Sequence, residues 1–233
     1  MTVIAIDGPS GVGKSSVSRE VARRLGYGYL DTGAMYRAMA WLCLSRGVTD
    51  AGDVVEQVRG ADLEISTDPD VREILVDGID VTEEIRSPEV STNVQVVSAV
   101  QDARDELIQM QRDVIAATAP GIVVEGRDIT TVVSPDAPVR ILMTADEAVR
   151  IARRAKENTG GADAAAIAAT RAQIADRDAK DSATTSFLTA SDGVHTLDTT
   201  HITFEESVAA VLGLVEAAQS AQAAAGEQGT DNG

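Results

Sequence analysis

The chain has 233 residues, of which 44% are hydrophobic and 24% are charged, and its 37 acidic and 20 basic side chains give a formal net charge of −17. This composition is that of a globular protein with a sizeable core, and it excludes a disordered or collagen-like chain. The negative charge argues against broad binding to nucleic acid or anionic membranes, because both depend on basic patches. A single cysteine, Cys43, excludes a disulfide framework and a cysteine-based zinc site within one chain.

One cysteine also fits a reducing compartment, so the cytoplasm is the default expectation. The N-terminal stretch MTVIAIDGPSG has neither a basic n-region nor an apolar h-region, and no apolar run reaches the roughly 18 residues of a spanning helix. We therefore expect neither export by a usual signal nor insertion into a membrane. The sequence does not fix the oligomeric state, and a monomer is the working expectation.

The first predicted elements form two strand–helix units. The apolar run Val3 to Ile6 predicts a strand, which a glycine-rich turn connects to a helix with its apolar residues at helical spacing. Tyr29 and Leu30 predict a second strand, and an apolar stripe from Met35 onwards predicts the helix that follows it. Strand, loop and helix thus occur twice within the first 45 residues or so.

Residues 61–85 have a different pattern. Short alternating apolar segments lie on either side of the turn dipeptide Asp77-Gly78, which predicts a small antiparallel insert. Further strands are predicted at 122–124, 139–143 and 195–197, and helices at roughly 98–117, 146–157, 164–176 and 204–222. Alternating strands and helices indicate an α/β fold with a mostly parallel sheet flanked by helices. We expect one unit over 1–225 and a disordered tail over 226–233, which is small and polar.

The strongest motif lies between the first strand and the first helix. Its sequence fits G-x-x-x-x-G-K-[ST] at every position, in the strand–loop–helix context that this motif requires. Backbone N–H groups of such a P-loop turn inward on phosphates, the lysine reaches the β and γ phosphates, and the hydroxyl after it binds Mg²⁺. The residues assigned to ATP are Gly8, Pro9, Ser10, Gly11, Val12, Gly13, Lys14, Ser15 and Ser16, with Ser15 assigned to the metal.

A P-loop alone is compatible with switches, motors, transporters and small-molecule kinases. The chain has no Asn-Lys-x-Asp sequence for reading guanine and no Leu-Ser-Gly-Gly-Gln run, which weakens the switch and transporter interpretations. Arginines are spread through the chain, as a kinase for an ionised phosphate acceptor requires. Arg127 is the most informative of them, because Glu125-Gly126-Arg127-Asp128 follows a buried strand, at the edge where α/β sheets bind ligands.

Several segments together resemble the bacterial cytidylate kinases, which transfer a phosphate from ATP to CMP or dCMP. The matching segments, which run through most of residues 1–200, are IDGPSGVGKSS at 6–16, LDTGAMYR at 30–37, VDGIDVTEEIRSPEV at 76–90, VVEGRDITTVVSPDA at 123–137, RIARR at 150–154 and RDAKDS at 177–182. The resemblance implies a P-loop kinase fold with an acceptor-binding insert at about 35–100 and a mobile lid at about 150–180.

The resemblance also implies roles for individual residues. Thr32, Arg37 and Arg127 would approach the phosphate of CMP, and Arg104 and Asp128 would approach cytosine. A carboxylate can accept a hydrogen bond from the exocyclic amine of cytosine, which uracil lacks, so Asp128 is a chemically sensible reader of the base. The remaining assignments are Arg177 and Asp181 near the ribose of the acceptor, and Arg153 and Arg154 on the lid over the ATP phosphates.

Two positions depart from the family pattern. Gln95 stands where the family typically has a serine near cytosine, and Thr184 stands where many members have a further phosphate-binding arginine. Lys180 is the nearest cation that could replace that arginine. We therefore expect ATP- and Mg²⁺-dependent phosphorylation of CMP and dCMP. The alternatives are the same fold acting on UMP, AMP or another small acceptor, and a nucleotide-dependent regulatory switch.

Overall fold

The computed structural model describes residues 1–159, 170–172, 174–175, 178–179 and 188–229. Its strands are β1 (Thr2–Asp7), β2 (Gly28–Asp31), β3 (Leu63–Ile65), β4 (Ile74–Val76), β5 (Ile79–Asp80), β6 (Gly121–Gly126), β7 (Val139–Thr144) and β8 (His195–Asp198). Its helices are α1 (Lys14–Leu25), α2 (Thr32–Ser45), α3 (Ala51–Gly60), α4 (Pro88–Thr92), α5 (Gln95–Ser98), α6 (Gln101–Ala117), α7 (Glu147–Thr159) and α8 (Phe204–Gly229). A 3₁₀ turn at Glu84–Arg86 precedes α4, and a π-helical turn at Ile129–Val133 follows β6.

Five strands form the main sheet in the order β2-β6-β1-β7-β8, and all of their pairings are parallel. The order reverses at β1, because β6 and β2 lie on one side of it and β7 and β8 lie on the other. Open parallel sheets bind ligands at such a switch point, beyond the carboxyl ends of the strands. The α/β fold predicted from the sequence is thus confirmed.

Alternation along the central strands separates two apolar cores. Ala5 of β1 packs into a cluster with α2, α3 and α6, whereas Ile4 and Ile6 pack on the opposite face against α1 and α8. Because successive side chains of a strand point to opposite faces, a strand that is covered on both sides needs apolar residues at every position. The continuous apolar run of β1 therefore determines its central place in the sheet.

The insert is a separate antiparallel sheet in the order β3-β4-β5. Asp77 and Gly78 form its tight turn, and both have positive φ, at 51° and 75° respectively. The backbone N–H of Tyr29 donates to the carbonyl of Thr67, at 2.8 Å, so the insert is attached to the exposed edge of β2. The predicted antiparallel insert is confirmed, and it lies beside the edge strand β2.

The predicted helix over 164–176 and the part of the predicted lid over 150–180 that follows residue 159 fall largely outside the described residues. Helix α8 continues to Gly229, beyond the end that its apolar spacing predicts. The division of the chain into one unit with an insert, a lid and a short tail stays a prediction.

Candidate active site

The P-loop connects β1 to α1 through three glycines with positive φ: Gly8 at 146°, Gly11 at 82° and Gly13 at 95°. A Cβ on Gly8 would lie 2.2 Å from the carbonyl oxygen of Met143, and one on Gly11 would lie 2.6 Å from that of Arg150. Both positions therefore require glycine, because neighbouring backbone approaches the loop too closely for a side chain.

Lys14 begins helix α1, and its ammonium folds back across the loop. Its Nζ donates to the carbonyl oxygens of Gly8, at 2.6 Å, and Pro9, at 3.0 Å. Ser15 and Ser16, in the first helical turn, are exposed on the open side of the loop, while Val12 is buried in the core. The structure thus brings the predicted P-loop residues together in one loop at a helix N-terminus, where phosphate is bound in other proteins.

Three acidic residues end the strands beside this loop. Asp7 ends β1 opposite Gly126 of β6, and Asp31 ends β2 opposite Glu125. None of the three carboxylates was singled out from the sequence as a site residue. The sequence could have indicated them, because each directly follows an apolar run that predicts a strand. Parallel strands present ligand-binding groups at their carboxyl ends.

Glu125 is almost completely buried, with 3% of its surface exposed. It accepts a short hydrogen bond from the hydroxyl of Tyr29, and the hydroxyl of Ser15 in the P-loop lies close enough to favour its charged form. Burial and the nearby charge of Asp31 raise the pKa of Glu125, although Lys14 opposes this effect. The buried carboxyl of Glu125 therefore lies near the hydroxyl that the motif assigns to the metal.

Asp7 holds the segment that follows β6. Its carboxylate accepts bonds from the backbone N–H groups of Ile129, at 2.9 Å, and Thr130, at 2.8 Å, and from the Thr130 hydroxyl, at 2.7 Å. These bonds fix the start of the π-helical turn directly after Arg127 and Asp128. Burial raises the pKa of Asp7, and the three bonds oppose that rise. We interpret Asp7 as a positioning residue for the two residues before the turn.

Arg127 and Thr32 meet at the carboxyl end of β6. The guanidinium of Arg127 donates a short bond to the carbonyl of Gly8, so it reaches the P-loop, and the Thr32 hydroxyl donates to the carbonyl of Glu125 at 2.8 Å. A Cβ on Gly126 would lie 2.6 Å from the Thr32 oxygen. Glycine at this position therefore permits the close approach of Thr32.

A second arginine, Arg37, lies one helical turn into α2. It pairs with Asp31 at 3.1 Å, and Asp31 also caps α2 by accepting from the N–H of Ala34 at 3.0 Å. Burial raises the pKa of Asp31, but Arg37 and that cap outweigh it and leave the pKa below its ordinary value. Arg86, from the insert, has its pKa lowered by burial and then by the charges of Arg37 and Arg72. The insert thus adds the positive charge of Arg86 near Arg37. The sequence did not identify Arg86 as a site residue.

Arg104 and Asp128 form a buried ion pair. Nη2 of Arg104 lies 2.9 Å from Oδ2 of Asp128, and about 10% of each side chain is exposed. Tyr36 lies beside this pair. Burial and the charge of Asp128 raise the pKa of Tyr36 to about 12, although the charge of Arg104 and a hydrogen bond with it oppose the rise. Burial raises the pKa of Asp128, and Arg104 opposes this. The two residues assigned to cytosine therefore lie together. The sequence did not indicate that Tyr36, on α2, would lie beside them.

Arg153 of α7 contacts the P-loop and the connection that follows β8. Arg153 donates to the carbonyl of Thr199 at 2.7 Å and to its hydroxyl at 2.9 Å, and that hydroxyl donates to the carbonyl of Val12 at 3.1 Å. Arg154, one residue further along α7, is partly exposed. The structure thus joins Arg153 to the β8–α8 connection, a contact that the sequence pattern does not reveal.

Other predicted residues lie apart or cannot be placed. Gln95 is exposed at the start of α5. Arg177 and Asp181, together with Lys180 and Thr184, lie outside the described residues, so their assignments stay predictions.

The fold and the site together define the class of protein. A parallel sheet in the order β2-β6-β1-β7-β8, a P-loop after the central strand and arginines around its mouth are the features of a P-loop kinase. A gluconokinase structure from Sinorhizobium meliloti 1021 is similar in fold, with a TM-score of 0.52 and 16% sequence identity, and the match covers 95% of each chain.

Sequence comparisons identify the family within this class. The family model described as cytidylate kinase matches residues 4–217. The cytidylate kinase of Cutibacterium acnes is 45% identical over 216 residues, covering 91% of this chain and 95% of that protein. The cytidylate kinase of Streptomyces griseus is 45% identical over 218 residues, covering 92% of each. The chain belongs to the cytidylate kinase family, and it is a kinase.

Within the part of the chain that the structure describes, no helix combines the length and apolar character needed to cross a bilayer.

Proposed function

We propose that the protein transfers a phosphate from ATP to CMP and dCMP, producing CDP and dCDP, by direct attack of the acceptor phosphate. The observation that carries this proposal is the position of Arg127 and Asp128. Arg127 reaches the P-loop carbonyl of Gly8, while Asp128, the next residue, pairs with the buried Arg104. A phosphate site and a polar site for a flat base therefore lie on either side of one peptide bond.

The Arg104–Asp128 pair matches the hydrogen-bonding edge of cytosine. A carboxylate only accepts hydrogen bonds and a guanidinium only donates them, and each keeps further capacity after pairing with the other. Cytosine presents an amine donor beside two acceptors, whereas uracil presents a carbonyl in place of the amine. Asp128 would accept from the amine and Arg104 would donate to the acceptors, so uracil would leave Asp128 facing an oxygen.

The acceptor phosphate would bind between Thr32, Arg37 and Arg127. Arg37 and Arg127 supply positive charge from two separate elements, and Arg86 adds charge from the insert. An ionised phosphate is already a nucleophile, so its transfer needs positioning and charge neutralisation rather than a strong general base. The predominance of arginines around the site is consistent with that requirement.

ATP would bind along the P-loop, from Gly8 to Ser16, with Lys14 neutralising charge on the transferred group. Mg²⁺ would be held by Ser15, with Glu125 behind it, and would draw charge from the β and γ phosphates. The residues fit such an ion, because the Ser15 hydroxyl is exposed in the first turn of α1 and lies near the buried Glu125 carboxyl. Arg153 and Arg154 on α7, and Arg177 and Asp181, are carried over from the family resemblance as contacts to ATP and to the ribose of the acceptor.

The test is a coupled ADP-release assay with CMP, dCMP, UMP and AMP as acceptors, each with and without Mg²⁺. We expect Mg²⁺-dependent turnover with CMP and dCMP, and a much lower kcat/KM with UMP and AMP. Lys14→Ala, assayed in parallel, controls for contaminating kinases. A preference for UMP or AMP would identify a different acceptor, and ATP hydrolysis that no monophosphate stimulates would favour a regulatory switch.

A further inference from the structure

Asp178 lies over the P-loop, although it is distant from the loop in sequence. Its Oδ2 is 2.5 Å from Nη1 of Arg150, and its Oδ1 accepts from the backbone N–H of Ser10 at 3.4 Å. Nη2 of Arg127 is 4.0 Å from Oδ1. Only 14% of the side chain of Asp178 is exposed. The carboxylate is therefore enclosed by one loop N–H and two guanidinium groups.

These partners are the kind of groups that bind phosphate. A P-loop holds phosphate through backbone N–H groups that point into the loop, and arginines beside it neutralise the remaining charge. Arg150 is fixed in this position by a second bond, from Nη1 to the carbonyl of Ser10 at 3.1 Å, while its buried Nε has no hydrogen-bond partner among the described residues. Arg127 is joined to the same loop through Gly8. Asp178 thus presents two anionic oxygens where a phosphate would present three.

A carboxylate and a nucleotide phosphate cannot both bind these donors. The N–H of Ser10 has one hydrogen to donate, and two anions side by side in a partly buried site repel each other. We propose that Asp178 sets the nucleotide affinity of the P-loop: its carboxylate binds the donors that a phosphate of ATP needs, and ATP binds by displacing it. This inference rests on the proposed function of the loop as the ATP site.

Asparagine at position 178 tests the role of the charge, because it keeps the size and one acceptor oxygen of aspartate. Without the charge, Asp178→Asn leaves Arg150 and Arg127 less well neutralised before ATP arrives, and ATP no longer displaces a competing anion. We expect its Kd for ATP, measured by titration calorimetry, to fall roughly tenfold, the factor that corresponds to one charge-assisted hydrogen bond. Asp178→Glu keeps the charge and should bind ATP less tightly than Asp178→Asn does.

Asp70→Asn is the matched control, because it removes a negative charge at a surface pair with Arg23, away from the loop. Its Kd for ATP should equal that of the wild type. The melting temperature without ATP checks that each variant folds, and Asp178→Ser replaces asparagine if that variant does not. In the wild type and Asp178→Asn, the rise in melting temperature on adding ATP should follow the two Kd values.

The outcomes separate this inference from the proposed function. Wild-type protein that binds no ATP would overturn both. Wild-type protein that binds ATP, together with an Asp178→Asn variant that binds it equally or more weakly, would overturn this inference alone. In that case Asp178 would hold Arg127 and Arg150 in place while ATP is bound. A lower kcat in Asp178→Asn would then indicate this role.

Discussion

Replacing Asp128 with asparagine tests how the base is selected while keeping the shape of the buried pair. Alanine is the poorer choice, because Arg104 is only 8% exposed and would lose its partner. Removing one member of a buried ion pair costs about 3–5 kcal/mol, a large share of the roughly 5–15 kcal/mol that stabilises a typical domain. Asparagine keeps one oxygen to accept from Nη2 of Arg104, across the present 2.9 Å.

The other half of the asparagine side chain is an amide N–H₂ group, which donates. It faces the cytosine amine as donor against donor, whereas it suits the carbonyl oxygen of uracil. An unpaired buried polar group costs about 1–3 kcal/mol, which is roughly 5- to 150-fold in kcat/KM. We therefore expect the ratio of kcat/KM for CMP to that for UMP to fall by a factor in this range in Asp128→Asn.

The assay is coupled ADP release with each monophosphate over a range of concentrations. Asp113→Asn on the same helix as Arg104 is the control, because Asp113 is exposed and only accepts a bond from Gln109. Its ratio should equal that of the wild type. An unchanged ratio in Asp128→Asn would refute the reasoning and transfer base selection to Arg104, Tyr36 or Gln95.

Three further predictions concern the loop and the strand ends. Lys14→Ala should lower kcat by two or three orders of magnitude or more while leaving the Kd for CMP unchanged, and substantial residual turnover would contradict its role. Glu125→Gln should change how stability depends on pH. Burial and Asp31 raise the pKa of Glu125 above its ordinary value of 4.5, so the folded state keeps a proton that the unfolded state has lost, and stability falls as the pH rises between the two values. Thermal melts from pH 4.5 upward should show a smaller fall for the glutamine variant than for the wild type, and equal slopes would exclude this coupling. Gly126→Ala should destabilise the protein by about 1–3 kcal/mol and raise the KM for CMP, since the new Cβ would lie 2.6 Å from the Thr32 oxygen. Gly60→Ala, where nothing lies within 4 Å, should do neither in the same denaturation and kinetic measurements.

Much of the fold could be predicted because its signals are local. Apolar runs, helical spacing and the turn at Asp77-Gly78 each determine an element within a few residues. Apart from the helix predicted over 164–176, which lies largely outside the described residues, those elements are present in the structure. The P-loop is also a local signal, because its glycines and Lys14 are neighbours in sequence and together form the loop. A motif of this kind can therefore be identified from the sequence without knowledge of the surrounding sheet.

The tertiary structure decided which charged groups meet. Arg104 and Asp128 are 24 residues apart, and Asp7 binds the turn 122 residues later, contacts that no local pattern specifies. Tyr36 lies beside Arg104 and Asp128 because α2 packs near α6, and Arg86 lies near Arg37 because the insert folds against the edge of β2. The sequence by itself determined the elements, the P-loop and the family resemblance, because short-range sterics and apolar periodicity are encoded residue by residue. Burial, pairing and pKa depend on the summed field of distant residues, so only the packed structure could decide them.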